Sequence, residues 1–237
     1  MPQSPFAILH ILSGGAAQGL VTQLQDRFRS QHHFDIAGTF GAVGLMKDGL
    51  LASEPCDVII LSQALISQLA ESGHVLAASA RPLGAVKTGV AVKTGEPPID
   101  VGTPAALKVA LQAARGVYFP DPIKATAGIH FMRVLKELGL EAGLAGRLRP
   151  YPNGATAMKA MAESDEPGLL GCTQVTEILF TPGVELVATL PKAFELATVY
   201  TAAVCTAAQN AQGANELIAL LANPDTAATR LACGFEP

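Results

Sequence analysis

Small residues stand in three places where hydrophobic patterning passes toward a helix: Ser13-Gly14-Gly15-Ala16, Ala125-Thr126-Ala127-Gly128-Ile129-His130 and Asn153-Gly154-Ala155-Thr156. The first turn of a helix exposes amide N–H groups and the positive end of the helix dipole, so each stretch could face a carboxylate or an oxyanion. The competing reading is structural: a tight turn or an N-cap, with Ser13, Thr126 or Asn153 supplying the capping oxygen. Gly41 and Ala42, within Phe40-Gly41-Ala42-Val43-Gly44, and Ser62, after the run Asp57 to Leu61, mark two further strand ends of the same kind.

Few titratable groups lie near these loops. His130, two residues past Gly128, could donate a hydrogen bond or carry a proton, although a lone histidine in an early helical turn is more often structural. Lys87 and Lys93 fall in one β-rich stretch and are the cations best placed to pair with a carboxylate. Arg147 and Arg149 precede the Asn153 loop and read equally well as solvated. Gln174, Thr176 and Glu177 follow the strand Leu169 to Thr173, and Glu177 reads as a general base or as a plain structural carboxylate. His32, His33 and His74 sit in polar surroundings. The order of residues contains no GxGxxG, no GxxxxGK[ST], no HExxH and no Ser/His/Asp arrangement. Cys56, Cys172, Cys205 and Cys233 are far apart and form no CxxC pair, so they read as buried thiols. The expectation is a site with neither metal nor organic cofactor.

The elements that must position these residues alternate strand and helix. Phe6 to Leu12, Phe34 to Thr39 and Asp57 to Leu61 read as buried strands, each followed by small residues and a helical stretch, as Leu20, Leu24 and Phe28 show after the first. Such alternation implies a mostly parallel sheet with ligands at the C-terminal ends of its strands. Ala85 to Lys93 is one long β-rich stretch, and Thr103-Pro104 opens a helix with proline in its first turn. Further elements are expected at Gly116 to Phe119, Ile129 to Leu138, Gly168 to Thr173, Val184 to Thr201, Asn215 to Ala222 and Asp225 to Cys233. The reading is two α/β lobes, 1–84 with 202–237 and 85–201, joined by hinge strands near 85–93 and 195–201, with a ligand cleft. A hydrophobic share of 49% over 237 residues suits that architecture. Charged residues are 15% and the formal net charge is -4, which gives no electrostatic reason for nucleic acid or an anionic membrane as partner. No apolar run approaches the roughly 20 residues of a membrane-spanning helix.

The ordered set Leu12-Ser13-Gly14-Gly15, Phe40-Gly41-Ala42-Val43-Gly44, Glu54-Pro55-Cys56-Asp57-Val58, Ala127-Gly128-Ile129-His130-Phe131 with Leu135 and Leu138-Gly139, and Gly171 to Glu177 resembles the molybdate-binding-protein-like branch of the type 2 periplasmic binding protein fold. The resemblance covers nearly the whole chain and implies two lobes, two crossing strands and a small bound anion. In members that bind molybdate it implies hydroxyl donors in the first loop, in the Phe40 loop and from a tyrosine after the late strand. The matching positions here are Gly15, Ala42 or Val43, and Gln174. Each lost donor to a buried oxyanion costs roughly 1–3 kcal/mol, so a polycarboxylate is expected over molybdate. The chain begins without a secretory leader, which implies a cytoplasmic protein, or a periplasmic one serving a membrane transporter if a leader was removed. The same branch resembles aconitate isomerase, which implies allylic proton transfer on a small unsaturated polycarboxylate, with Lys87 and helix N-termini holding the acid and His130 or Glu177 moving the proton. The alternative is a non-catalytic binding protein of a transporter or an anion sensor.

Overall fold

The computed structural model describes residues 6–97 and 99–237. The chain divides into two compact units, one made of residues up to Ala85 with Thr198–Pro237, the other of Val86–Ala197. Residues 198–201, expected in the second lobe, group with the first unit because Tyr200 and Thr201 pair with Ser62 and Leu61.

The first unit opens with strand β1 (Ala7–Gly14), a 3-10 turn (Gly15–Ala17) and helix α1 (Gln18–His32). It continues with β2 (Phe34–Gly41), α2 (Val43–Leu51), β3 (Val58–Ser62) and α3 (Gln63–Glu71). Strand β4 (Arg81–Lys93) carries the chain into the second unit. There follow α4 (Pro104–Ala113), β5 (Gly116–Pro120), α5 (Thr126–Glu137), the single turn α6 (Glu141–Leu144), β6 (Leu148–Tyr151), α7 (Gly154–Ala162), β7 (Leu169–Gln174), α8 (Val175–Phe180) and β8 (Val184–Thr189). Strand β9 (Ala197–Val204) returns the chain to the first unit, which ends with α9 (Ala211–Ala222) and α10 (Ala227–Ala232).

In the first unit β2, β1 and β3 run parallel, and β9 is antiparallel on β3. Central β3 reads Val58-Ile59-Ile60-Leu61, with every one of those side chains buried, as a strand covered on both faces requires. In the second unit β6, β5 and β7 are parallel; β4 is antiparallel to β7 on one edge and to β8 on the other. Two apolar clusters hold that unit: Leu107, Leu111, Phe119, Phe131, Leu135 and Leu144 in one, and Tyr118, Met158, Met161 and Ile178 in the other. The Phe119 and Phe131 rings meet at 5.4 Å, tying α5 to β5.

Three differences from the sequence expectations matter for function. Strands β1, β2 and β3 run on through Gly14, Gly41 and Ser62, so the small residues belong to strand ends rather than to separate loops. Helix α5 begins at Thr126 instead of Ile129, which puts Thr126, Ala127 and Gly128 in its first turn. The stretch 184–201 is not one crossing: β8 pairs with β4 inside the second unit and only β9 returns.

Candidate ligand site

Parallel strands bring the helix starts of the first unit to one sheet edge. Gly14 and Gly41 are register partners, and Ser13 lies opposite Ile60, two residues before Ser62. The turn after Gly14 and the helices after Ala42 and Ser62 begin without a side-chain cap, so no capping side chain occupies their first-turn N–H groups. Glycine at position 14 is steric: a Cβ there would lie 2.8 Å from Val43 Cγ1 and 3.0 Å from Tyr200 Cε1. Gly15 and Ala42 are buried alongside. The Ser13 hydroxyl is fully buried and donates to the Gly14 carbonyl at 2.9 Å, so it neither caps the helix nor points a free donor outward.

The start of α7 is already occupied by the protein's own oxygens. Asn153 Oδ1 accepts from Thr156 N–H at 2.8 Å, and the Glu177 carboxylate accepts from the Gly154, Ala155 and Gln174 amides. Thr173 Oγ1 donates to Glu177 Oε2 at 2.5 Å. Gly154 must lack a side chain, since a Cβ would sit 2.0 Å from both Glu177 Oε2 and Thr173 Oγ1. Asn153 therefore caps its own helix, and Gly154 presents its amide to the Glu177 carboxyl. Burial pushes the Glu177 carboxyl above the usual carboxylate range, while the Thr173 hydroxyl and the three amides pull the other way. Of the two readings of Glu177, this geometry is the structural one.

At α5 the cap position falls to Ala125, which has no side-chain acceptor, and Thr126 is the first helical residue rather than the cap. Gly128 lets the helix sit on the end of β5: a Cβ would meet the Asp121 and Pro120 carbonyl oxygens at 2.2 and 2.3 Å. His130, one turn into the helix, lies 2.8 Å through Nε2 from the Phe194 carbonyl. A carbonyl only accepts, so Nε2 carries the proton and Nδ1 keeps its lone pair in the neutral ring.

From Phe194 the chain leads to a polar cluster at the C-terminal end of β7. Glu195 Oε2 is 3.7 Å from Lys87 Nζ, and its Oε1 is 2.7 Å from Lys192. Its carboxyl is held below the ordinary range first by the Lys192 hydrogen bond, with Lys87 adding to it. The Leu196 carbonyl accepts from the Thr88 amide at 3.1 Å, and Thr88 is the cross-strand partner of Gln174. Thr88, Gln174 and Thr176 are 1%, 3% and 3% exposed. Among the described residues, Thr88 Oγ1, both amide atoms of Gln174 and Thr176 Oγ1 have no hydrogen-bond partner. Unpaired buried polar groups are destabilising by about 1–3 kcal/mol each, and Thr88 on β4 and Gln174 at the end of β7 bring two such side chains to paired positions, with Thr176 two residues on in α8.

The other basic side chains of this unit considered from the sequence are committed to structure. Lys93 donates to the Ser164 carbonyl; Arg147 donates to the Gln112 and Ala114 carbonyls at 2.8 and 2.6 Å. Arg149 bridges the Tyr118 hydroxyl and Glu166, each at 2.7 Å.

The sequence profile of the bacterial extracellular solute-binding proteins matches residues 9–236. The chain belongs to that family. Its fold is that of the type 2 periplasmic binding proteins, in the molybdate-binding-protein-like branch, with a mostly parallel sheet as expected from sequence. The periplasmic molybdate-binding protein of Azotobacter vinelandii superposes with a TM-score of 0.79 at 17% identity, covering 97% of this chain and 99% of that one. The sulfate-binding protein of Mycobacterium tuberculosis superposes at 0.72 with 14% identity, covering 98% and 87%. An aconitate isomerase from a Pseudomonas species is 26% identical over 243 residues, covering 98% of this chain and 89% of the relative.

Thr88 and Glu195 were not singled out in the sequence. A threonine in a β-rich stretch reads as β-branched filler, and only its pairing with Gln174, 86 positions away, reveals an orphaned hydroxyl. Glu195 carried a weak local signal, the i,i+3 spacing to Lys192.

Proposed function

We propose that this solute-binding-family protein binds a small unsaturated di- or tricarboxylate and shifts an allylic proton on it, as an isomerase of the aconitate isomerase kind. The observation that carries the reading is the buried, unpartnered set Thr88, Gln174 and Thr176, reached from His130 through Phe194–Leu196. Two hydroxyls and one amide supply up to four O–H and N–H donors without adding charge, which suits carboxylate oxygens whose negative charge grows as the acid becomes dienolate-like. His130 Nδ1 takes the allylic proton; the double bond moves by one position; the same nitrogen returns the proton at the far carbon. The net change is one proton and one double bond relocated, so no oxidant, reductant or external acid is consumed. Lys87, next to Thr88 in the chain, adds a cation whose field Glu195 partly offsets. The 26% identical aconitate isomerase supports this choice of reaction, and the replacement of hydroxyl positions by Gly15, Ala42 or Val43 and Gln174 supports a carboxylate over molybdate.

A second reading, binding and release without chemistry, draws on family membership and on two specific facts. Glu177, one of the two proton-handling candidates, is sealed by four donors, and Lys87, the cation expected to hold the acid, is paired with Glu195. Thermal unfolding with trans-aconitate, cis-aconitate, citrate, sulfate and molybdate tests the ligand class. A ligand at about 100 times its Kd adds roughly 2.7 kcal/mol of stability, a rise of about 5–10 °C for a chain of this size. A larger rise with molybdate or sulfate than with any carboxylate would overturn the carboxylate assignment.

A further inference from the structure

Far along β3 from Ser62, the first unit contains a feature with no part in the proton shift. Cys56, just before β3, and Cys205, just after β9, bring their sulfurs within 3.3 Å. They come from the unit's two separate chain segments, 149 residues apart, and the antiparallel pairing of Val58 with Val204 holds them in place. Neither is cross-linked. Cys205 donates its S–H to Cys56 Sγ, and that hydrogen bond, followed by burial, pushes the Cys205 thiol upward. Cys56 in turn donates to the Val58 carbonyl at 3.2 Å and borders a cavity of about 500 Å³. His10, Glu54, Asp57 and His74 also line that cavity, together with the apolar Leu50, Leu51 and Pro55. The other two thiols, Cys172 and Cys233, are buried and not cross-linked.

We propose that Cys56 and Cys205 are a redox-active dithiol that a low-molecular-weight disulfide, entering through this cavity, converts to an intramolecular disulfide. Cys56, on the cavity wall, gives up its proton and its thiolate attacks one sulfur of the small disulfide. The S–S bond of that molecule breaks and one thiol leaves with a proton. Cys205 then attacks the Cys56 side of the mixed disulfide, losing its own proton and releasing the second small thiol. Two protein thiols are oxidised and one small disulfide is reduced to two thiols. Going from 3.3 Å to the roughly 2.05 Å of a disulfide brings the sulfurs about 1.25 Å closer, between residues that flank the β3–β9 ladder. The bridge joins residues far apart in sequence, so it removes many unfolded conformations and raises the unfolding temperature of the first unit. The reaction touches none of the residues placed at the ligand site.

The test uses the purified full chain, fully reduced and then incubated with oxidised glutathione. Intact mass is expected to fall by about 2 Da, from loss of two hydrogens. Peptide mapping without reduction should recover one cross-linked species containing Cys56 and Cys205, and the thermal midpoint should rise and return on adding a dithiol reductant. Cys56→Ala, at the cavity wall, should abolish the mass loss and the rise; a Cys172→Ala, Cys233→Ala chain should keep both. Four alkylatable thiols after treatment, a stable glutathione adduct on Cys56, or a bridge to Cys172 or Cys233 would each overturn the proposal, and the mapping of the unmodified sequence decides it even if a variant fails to fold.

Discussion

Gly154→Ala puts the internal cap of α7 under direct strain. The new methyl would begin 2.0 Å from Glu177 Oε2 and from Thr173 Oγ1, where real Cβ contacts do not fall below about 3 Å. Thr173 is fully buried, Glu177 is 5% exposed, and they hydrogen-bond to each other, so neither can swing into solvent without leaving the other unpaired. The start of α7 must therefore move away from the carboxylate by about 1 Å, giving up the Gly154 and Ala155 amide bonds to Glu177. Overpacking of this sort destabilises by about 1–3 kcal/mol, and each lost hydrogen bond by about 0.5–1.5 kcal/mol. Alanine's smaller unfolded-state entropy returns about 0.4–1 kcal/mol. The expected net loss is about 1.5–5 kcal/mol, seen as a fall of roughly 3–20 °C in thermal midpoint. Urea unfolding followed by circular dichroism should show the midpoint fall with an unchanged m-value. A variant as stable as the parent, or more so, would refute the assignment of Glu177 as the partner of the α7 amides.

Other expectations follow from the same contacts. Thr88→Val and Gln174→Leu remove orphaned buried polar atoms, so each should leave stability unchanged or raise it by up to about 1–3 kcal/mol while weakening carboxylate binding at least tenfold by calorimetry; loss of stability with binding intact would contradict a ligand role. His130→Gln, which can still donate to the Phe194 carbonyl, should abolish turnover and leave carboxylate affinity within a few-fold, whereas an unchanged kcat would remove His130 from the reaction. Glu177 has its folded pKa raised above the ordinary 4.5, so its contribution to stability is fully present below that value and is lost as pH rises through the folded value. The stability difference between the parent and Glu177→Gln should therefore shrink in that direction, and a difference that grows as pH rises would mean that the hydrogen bonds outweigh burial.

Much of the fold was legible because its signals are local. Val58-Ile59-Ile60-Leu61 could only be a covered strand, and the glycines at strand ends foretold where helices would start. The branch assignment rested on five weak motifs in order, and the structural relatives bear it out. What the site does with these residues was hidden because it depends on distant partners. Glu177 looked equally able to act as base or brace until Gly154 placed two amides on it. His130 gained a defined tautomer only from Phe194, 64 residues later. Gln174 appeared as one polar residue among several, and its unsatisfied amide emerges only when β4 and β7 are paired. Low net charge points to an anion site of neutral donors, an expectation for ligand binding to test, and the structure engages Lys93, Arg147 and Arg149 with other partners.

The central claim is that this chain moves a proton on a carboxylate it binds. Proton NMR of trans-aconitate in deuterated water, with the purified protein as the sole addition, measures that step directly. The account predicts decay of the trans-aconitate signals with growth of those of cis-aconitate, carrying deuterium at the new allylic carbon wherever the His130 proton exchanges with solvent before its return, at a rate proportional to protein concentration and lost in His130→Gln. Saturable binding of the acid with every proton signal intact would contradict it and leave the protein a binder of carboxylates alone.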